Sequence, residues 1–254
     1  MRRASPRARW RGLIVPGLCA LVALAVLCSL GVWQLQRLAW KEALIARVAM
    51  RMQMSFVPPV PAEAEWPNVN AEQDEYRHVR VIGTFRHDLE ALCYELLSDA
   101  NEKFSGPGYW VLTPLETAGG VTVIVNRGFV PIERRDATTR REGQVTGKVT
   151  VIGLLRLPER RSWFTPADDP VHHLWQVRDP AAIAKAYGLS RAAPFFIDAD
   201  ASANPGGLPQ GGETKLAFPN RHLEYALTWF GLALALIAVF IAFALKQLRN
   251  RGRA

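Results

Sequence analysis

The stretch Leu13-Ile-Val-Pro-Gly-Leu-Cys-Ala-Leu-Val-Ala-Leu-Ala-Val-Leu-Cys-Ser-Leu30 has no charged residue, and the uncharged run extends around it from Gly12 to Gln36. A hydrocarbon core of about 30 Å takes about 20 helical residues to cross, so this run can span. A second uncharged run, Tyr225–Leu245, covers 21 residues. A cleaved signal peptide would have a shorter apolar core and a small-x-small site, whereas Gly31-Val32-Trp33-Gln34 follows here. The core helix of a soluble domain is seldom apolar all round over such a length. Two membrane spans are expected, 12–36 and 225–245.

Charge is concentrated outside these runs. The 254 residues carry 31 Lys and Arg against 23 Asp and Glu. Five arginines fall in residues 1–11 and four bases in 246–254, with no acid in either tail, which leaves 22 bases and 23 acids between them. Two basic tails around a neutral middle argue for the lipid bilayer as partner and against nucleic acid. By the positive-inside rule both tails are cytoplasmic. Arg37, Lys41, Arg47 and Arg51, just past the first span, strain that rule. A 188-residue loop, Arg37 to Glu224, nevertheless translocates largely regardless of charge. The expected site is a bacterial inner membrane with the central domain periplasmic. A mitochondrial inner membrane gives the same topology, but eleven residues leave little room for a transit peptide. Cys19 and Cys28 sit in the first span, so Cys93 is alone in the loop and a disulfide scaffold is excluded.

Between the spans the texture changes twice. A helical extension and a Pro-rich stretch (Pro58, Pro59, Pro61, Pro67) occupy 37–75, a β domain 76–200, and a Gly/Pro-rich return 201–224. Candidate strands are 77–86, 92–97, 109–116, 121–130, 144–157, 172–178 and 194–198, β-branched or aromatic and separated by Gly and Pro. Asp179 and Pro180 open one short helix over 181–187, and Gly188 ends it. Val79-Arg-Val-Ile-Gly-Thr-Phe85 and Val149-Thr-Val-Ile-Gly-Leu-Leu155 form a weak repeat whose glycines suggest bends. The expected fold is a membrane protein: two transmembrane α-helices flanking a mostly antiparallel β exported domain, a small barrel or sandwich, with one short helix.

Familiar catalytic signatures are absent: no G-x-S-x-G, H-E-x-x-H, P-loop or G-x-G-x-x-G. Asp168-Asp169 lies in a turn composition, Thr-Pro-Ala-Asp-Asp-Pro. His172-His173, if on a strand, would point to opposite faces and could not share a metal. Met50, Met52 and Met54 would line one face if extended and suit Cu(I), but the helical pattern through Val48 makes them packing residues.

Two clusters at the span boundaries carry more. In the first, Trp33, Arg37, Trp40 and Lys41 share a helical face; an aromatic belt with snorkelling cations is the plainer account. In the second, His222, Tyr225, Ala226 and Trp229 form an i, i+3, i+4, i+7 stripe. A histidine above an aromatic face can ligate haem iron; it can also be a headgroup-level residue of the belt.

These clusters, with three internal motifs, resemble the Surfeit locus protein one family. The carriers are Gly31-Val-Trp-Gln-Leu-Gln-Arg-Leu-Ala-Trp-Lys-Glu-Ala-Leu-Ile45, Tyr109-Trp-Val-Leu-Thr-Pro-Leu115, Val125-Asn-Arg-Gly-Phe-Val-Pro131, the Asp169-Pro170, Trp175 and Arg178-Asp179 positions, and Pro219-Asn-Arg-His-Leu-Glu-Tyr-Ala-Leu-Thr-Trp229. The chain departs from the family pattern at Phe129 (often Trp), Gln176 (often Tyr), Arg221 (often Asn) and Asp168 (often Asn). The resemblance implies a biogenesis factor of aa3-type cytochrome c oxidase that binds haem a and assists its insertion into subunit I, with haem a synthase a further partner and no enzymatic turnover. On that reading His222 is the axial iron ligand, Tyr225, Trp229 and Trp40 line the cofactor, and Arg37 pairs a propionate. The alternatives are a structural chaperone of a subunit I intermediate that binds no haem and, further off, an envelope enzyme using the β domain.

Overall fold

The computed structural model describes residues 6–52, 56–98, 103–201, 204–214 and 220–250. The third methionine of the 50–54 group lies outside them; Met50 and Met52 are helical. The chain divides into two compact units, one made of residues 1–47 and 217–254, the other of 48–216.

The first unit holds helix α1, Pro6–Met52, which runs on into the second unit, and helix α3, His222–Asn250. Both are long and apolar enough to cross a bilayer. They pair along a seam. On α1 the less exposed positions include Leu13, Gly17, Ala20, Leu24, Leu27, Gly31, Gln34 and Leu38; on α3 they include His222, Ala226, Trp229, Ala233, Leu236 and Phe240. Both series step alternately by three and four, the period of left-handed helix pairing. Small residues set the approach: Ala226 and Ala233 are buried, and a Cβ at Gly31 would lie 2.7 Å from the Phe230 ring.

The second unit is β-rich. Strands β1 (His78–Phe85), β2 (Ala91–Leu97), β3 (Gly106–Thr117), β4 (Thr122–Pro131), β5 (Lys148–Arg156), β6 (Leu174–Trp175) and β7 (Ala192–Ala199) form one sheet ordered β1-β5-β7-β4-β3-β2-β6. An added β1–β3 pairing closes five of them into a barrel, with β2 and β6 continuing off β3. All pairings are antiparallel except β4–β7 and β2–β6.

The sequence repeat has a structural meaning. Its two copies pair with each other, Val81 opposite Val151, with Val79 opposite Gly153 and Gly83 opposite Val149. A Cβ at Gly83 would meet the Glu116 carbonyl of β3, and one at Gly153 the Asp198 carbonyl of β7. Each glycine thus admits the next strand at the barrel's tightest approach. Val79, Val81, Leu115, Val123, Val125, Val151, Leu155, Phe195 and Ile197 fill the interior. The Pro-rich stretch packs on this core: Pro59 bridges to Arg80 and Trp66 meets Phe195 edge-on.

A second core lies outside the barrel, where α2 (Pro180–Ala186) covers Trp110, Phe129, Trp175 and Phe196. Asp179 caps α2 by accepting from the Ala181 and Ala182 amides, and Gly188 follows at φ +68°, as the sequence suggests. The expected strand 172–178 shrinks to Leu174–Trp175. Asp169 accepts from the His172 amide and tightens Pro170–His172 into a 3-10 turn, and His173 takes φ +58°. The two histidines therefore sit on a turn, with no strand to oppose them.

Candidate functional site

His222 is the first residue of α3, and its amide faces the Asn220 side-chain oxygen at 3.5 Å. Its imidazole enters the seam and meets Gln34 of α1, with Nδ1 and Oε1 2.7 Å apart. Gln34 is only 8% exposed, a polar side chain one helical turn beyond Gly31. A glutamine oxygen accepts, so Nδ1 is the donor in this contact and Nε2 is the ring nitrogen that Gln34 does not engage. The contact thereby ties the ring of one helix to a buried side chain of the other.

The other expected site residues stand on the same two helices, and among the described residues His222 meets only Gln34 of the other helix by a side-chain hydrogen bond. Tyr225 and Trp229 follow His222 on α3; Tyr225 is half exposed, turned from the seam that Ala226 occupies, and Trp229 is half-buried. On α1 the Arg37 guanidinium lies 5.9 Å from the Trp33 ring centre and 5.2 Å from that of Trp40, so the cation is held between two aromatics of its own helix. Both tryptophans are exposed. The boundary thus has two faces: a polar contact inside the seam and an aromatic, cationic surface outside it.

Gln34 lies within the motif that opens at Gly31, yet nothing in its local sequence marks it as a site residue. The available signal is positional, a glutamine on the same three-four series as Gly17, Leu24 and Gly31.

The β unit holds two buried charge clusters. Glu90 accepts from Arg140 at 2.6 Å, from Arg127 at 3.2 Å and from Gln144 at 3.1 Å. Burial opposes its charge, but hydrogen bonds from His87 and Arg140 and the charges of Arg140 and Arg127 prevail and hold its pKa at about 2. Burial pushes Arg127 down to about 10. A cleft of about 550 Å³ opens beside them, lined by His87, Glu90, Arg135, Arg140, His172 and His173 among others. His172 Nδ1 is engaged by Asp169 and His173 Nδ1 by the Tyr187 hydroxyl.

Asp198, 2% exposed, is the second hub. It accepts from Asn126 on β4, Arg156 on β5, Arg178 before α2, and Thr214 of the return segment, at 2.8–3.2 Å. Arg156 also binds Glu75 and lies 4.5 Å over the Tyr76 ring, while Arg178 binds Glu159 and faces Phe196 at 5.2 Å. Cys93 is buried, and desolvation pushes its thiol up to about 12, which makes it inert. Among the described residues, no three His, Cys, Asp or Glu side chains are grouped to hold a metal ion.

Two paired membrane-crossing helices at either end of the chain, with a five-stranded barrel between them in sequence, define a membrane-anchored two-pass protein with a β domain. The SURF1 family pattern matches residues 21–234, from within the first span to within the second. Human Surfeit locus protein 1 is 38% identical over 218 residues, covering 82% of this chain and 70% of the relative. The rat protein is 37% identical over 217 residues, covering 82% and 68%, and that of Takifugu rubripes 32% over 252 residues, covering 95% and 98%. The chain belongs to the SURF1 family, whose members are known as cytochrome c oxidase assembly factors.

Proposed function

We propose that this chain is a biogenesis factor of aa3-type cytochrome c oxidase that binds haem a through His222 and assists its insertion into subunit I, with no turnover of its own. The observation that carries this reading is the Gln34–His222 contact, which engages Nδ1 and leaves Nε2 as the nitrogen open to a ligand. Histidines that ligate metals characteristically give their other N–H to a carbonyl or carboxylate, which orients the ring and raises its basicity. An imidazole nitrogen held in this way is a donor that would suit a porphyrin iron, and His222 would hold the group. When bound, haem a supplies the redox iron of the oxidase; the residues of this chain hold and orient it. Tyr225 and Trp229 stand on the same helix as His222 and would offer aromatic surfaces to the cofactor, Tyr225 from the outer face. Arg37, with a fork that matches a carboxylate, pairs a propionate, and Trp40 stacks on that guanidinium.

In this account the basic tails lie in the cytoplasm of a bacterium and the β unit faces the periplasm, with haem a synthase as donor and subunit I as acceptor. The cleft at Glu90 does not favour an enzyme instead. A carboxylate held near pKa 2 by two arginines is a poor general base at neutral pH. The competing reading is a chaperone that grips a subunit I intermediate without haem. Full-length protein purified from cells that make haem a separates the two. A stoichiometric Soret band supports the proposal, and colourless protein that still captures subunit I supports the chaperone.

A further inference from the structure

Residues 159–178 form a long excursion between β5 and α2 that is pinned at its base. The Glu159 amide donates to the Arg178 carbonyl at 3.2 Å, and the Arg178 amide donates to the Glu159 carboxylate at 3.0 Å. Higher up, the Gln176 amide donates to Asp168 at 2.8 Å, and Arg161 closes onto Asp168 and the Pro166 carbonyl. The far end is a tight turn. The Thr165 amide donates to the Ser162 carbonyl at 3.1 Å, and the Ser162 amide to the Thr165 hydroxyl at 3.0 Å. The two corner residues of this turn are Trp163 and Phe164, 95% and 72% exposed, with their rings edge-on at 5.5 Å. The excursion therefore spends its internal hydrogen bonds on holding two large aromatic side chains out in water.

We propose that this turn is a bilayer-contacting tip. Trp163 and Phe164 enter the interfacial zone of a phospholipid bilayer, and exposed Arg160 meets the headgroup phosphates. Three observations select lipid over a protein partner. The chain carries two membrane-crossing helices, so a bilayer is tethered to the β unit at high effective concentration, and even weak insertion is realised. A Trp-Phe pair preceded by an exposed arginine, Arg160, is a composition that settles at the headgroup level, with the indole and the cation both satisfied there. The local charge also suits phosphate: no acid occurs between Arg160 and Ala167, and the carboxylates on either side are engaged by Arg178 and Arg161. The shape agrees as well. Two side chains at a convex corner lack the surrounding water-excluding ring that gives protein hot spots their strength.

The test uses the full chain labelled with 5-fluorotryptophan in nanodiscs of phosphatidylcholine containing one quarter phosphatidylglycerol. The fluorine resonance missing from Trp163→Phe, a conservative change at an exposed position, identifies Trp163. Doping the discs with headgroup-nitroxide lipid is expected to broaden this resonance severalfold more than that of buried Trp175, and Arg160→Glu is expected to reduce the effect. Broadening of Trp163 no greater than that of Trp175 overturns the proposal and leaves the tip as a surface for a protein partner.

Discussion

His222 and Gln34 meet across two membrane-crossing helices, 188 residues apart in sequence, with 2.7 Å between Nδ1 and Oε1. The contact makes the imidazole of one span depend on an acceptor in the other. Replacing Gln34 by Leu removes the acceptor, and haem a affinity is expected to fall by about 10–100-fold, the usual cost of losing such an outer partner. Gln34→Glu keeps an acceptor and should retain binding. Titration of haem a into the purified variants, followed at the Soret maximum, reads both. Equal affinity of the Leu variant and the parent would show that the contact does not position the ligand.

The seam offers a test by steric rescue. Gly31→Leu drives side-chain atoms into the Phe230 ring, which lies 2.7 Å from a bare Cβ. The expected result is a full chain of lower thermal stability in detergent, partly restored by Phe230→Ala. Independent losses that simply add would contradict a direct contact.

Asp198 binds four segments of the β unit through one buried carboxylate. Asp198→Ala takes one of two carboxylate partners from each of Arg156 and Arg178, which keep Glu75 and Glu159, and breaking a buried pair costs up to about 3–5 kcal/mol. Denaturant unfolding of the full chain, monitored by tryptophan emission, is expected to show a loss of that order. A loss under about 1 kcal/mol, typical of exposed pairs, would place the cluster outside the folding core.

Glu90 gives a pH dependence with a definite sign. Its pKa falls from 4.5 to about 2 on folding, so its stabilising contribution is complete above about pH 4.5 and disappears as pH falls toward 2. Glu90→Gln should flatten the acid-unfolding curve across that window while lowering stability at neutral pH. An unchanged acid limb would show that other carboxylates govern it.

How much of this was legible in the chain can be judged residue by residue. Both spans, Asp179 with Gly188 as the limits of α2, and most strands follow from local signals: charge-free runs, caps and β-branched blocks. The glycines Gly83 and Gly153 were visible as bends, yet nothing local said that the two repeat copies pair with each other, since register depends on partners far along the chain. The His172–Arg178 stretch has a strand's texture in Trp175 and Val177; Asp169, by bonding the His172 amide, turns its start into a 3-10 turn. Of the site, His222 and the aromatic stripe were readable from helical spacing. Gln34 was not, because pairing it with His222 requires knowing which faces of two distant helices meet. The Glu90 and Asp198 hubs escaped for the same reason, each joining residues scattered over more than fifty positions.

The central claim is that His222 supplies the axial donor to haem a. The most direct measurement is the absorption spectrum of the full chain purified from cells that make haem a, compared with His222→Ala and with a chain in which His78, His87, His172 and His173 are all replaced. The account predicts a stoichiometric Soret band in the parent and in the four-histidine variant, and none in His222→Ala at an unchanged protein yield. A full Soret band in the His222→Ala protein would contradict it.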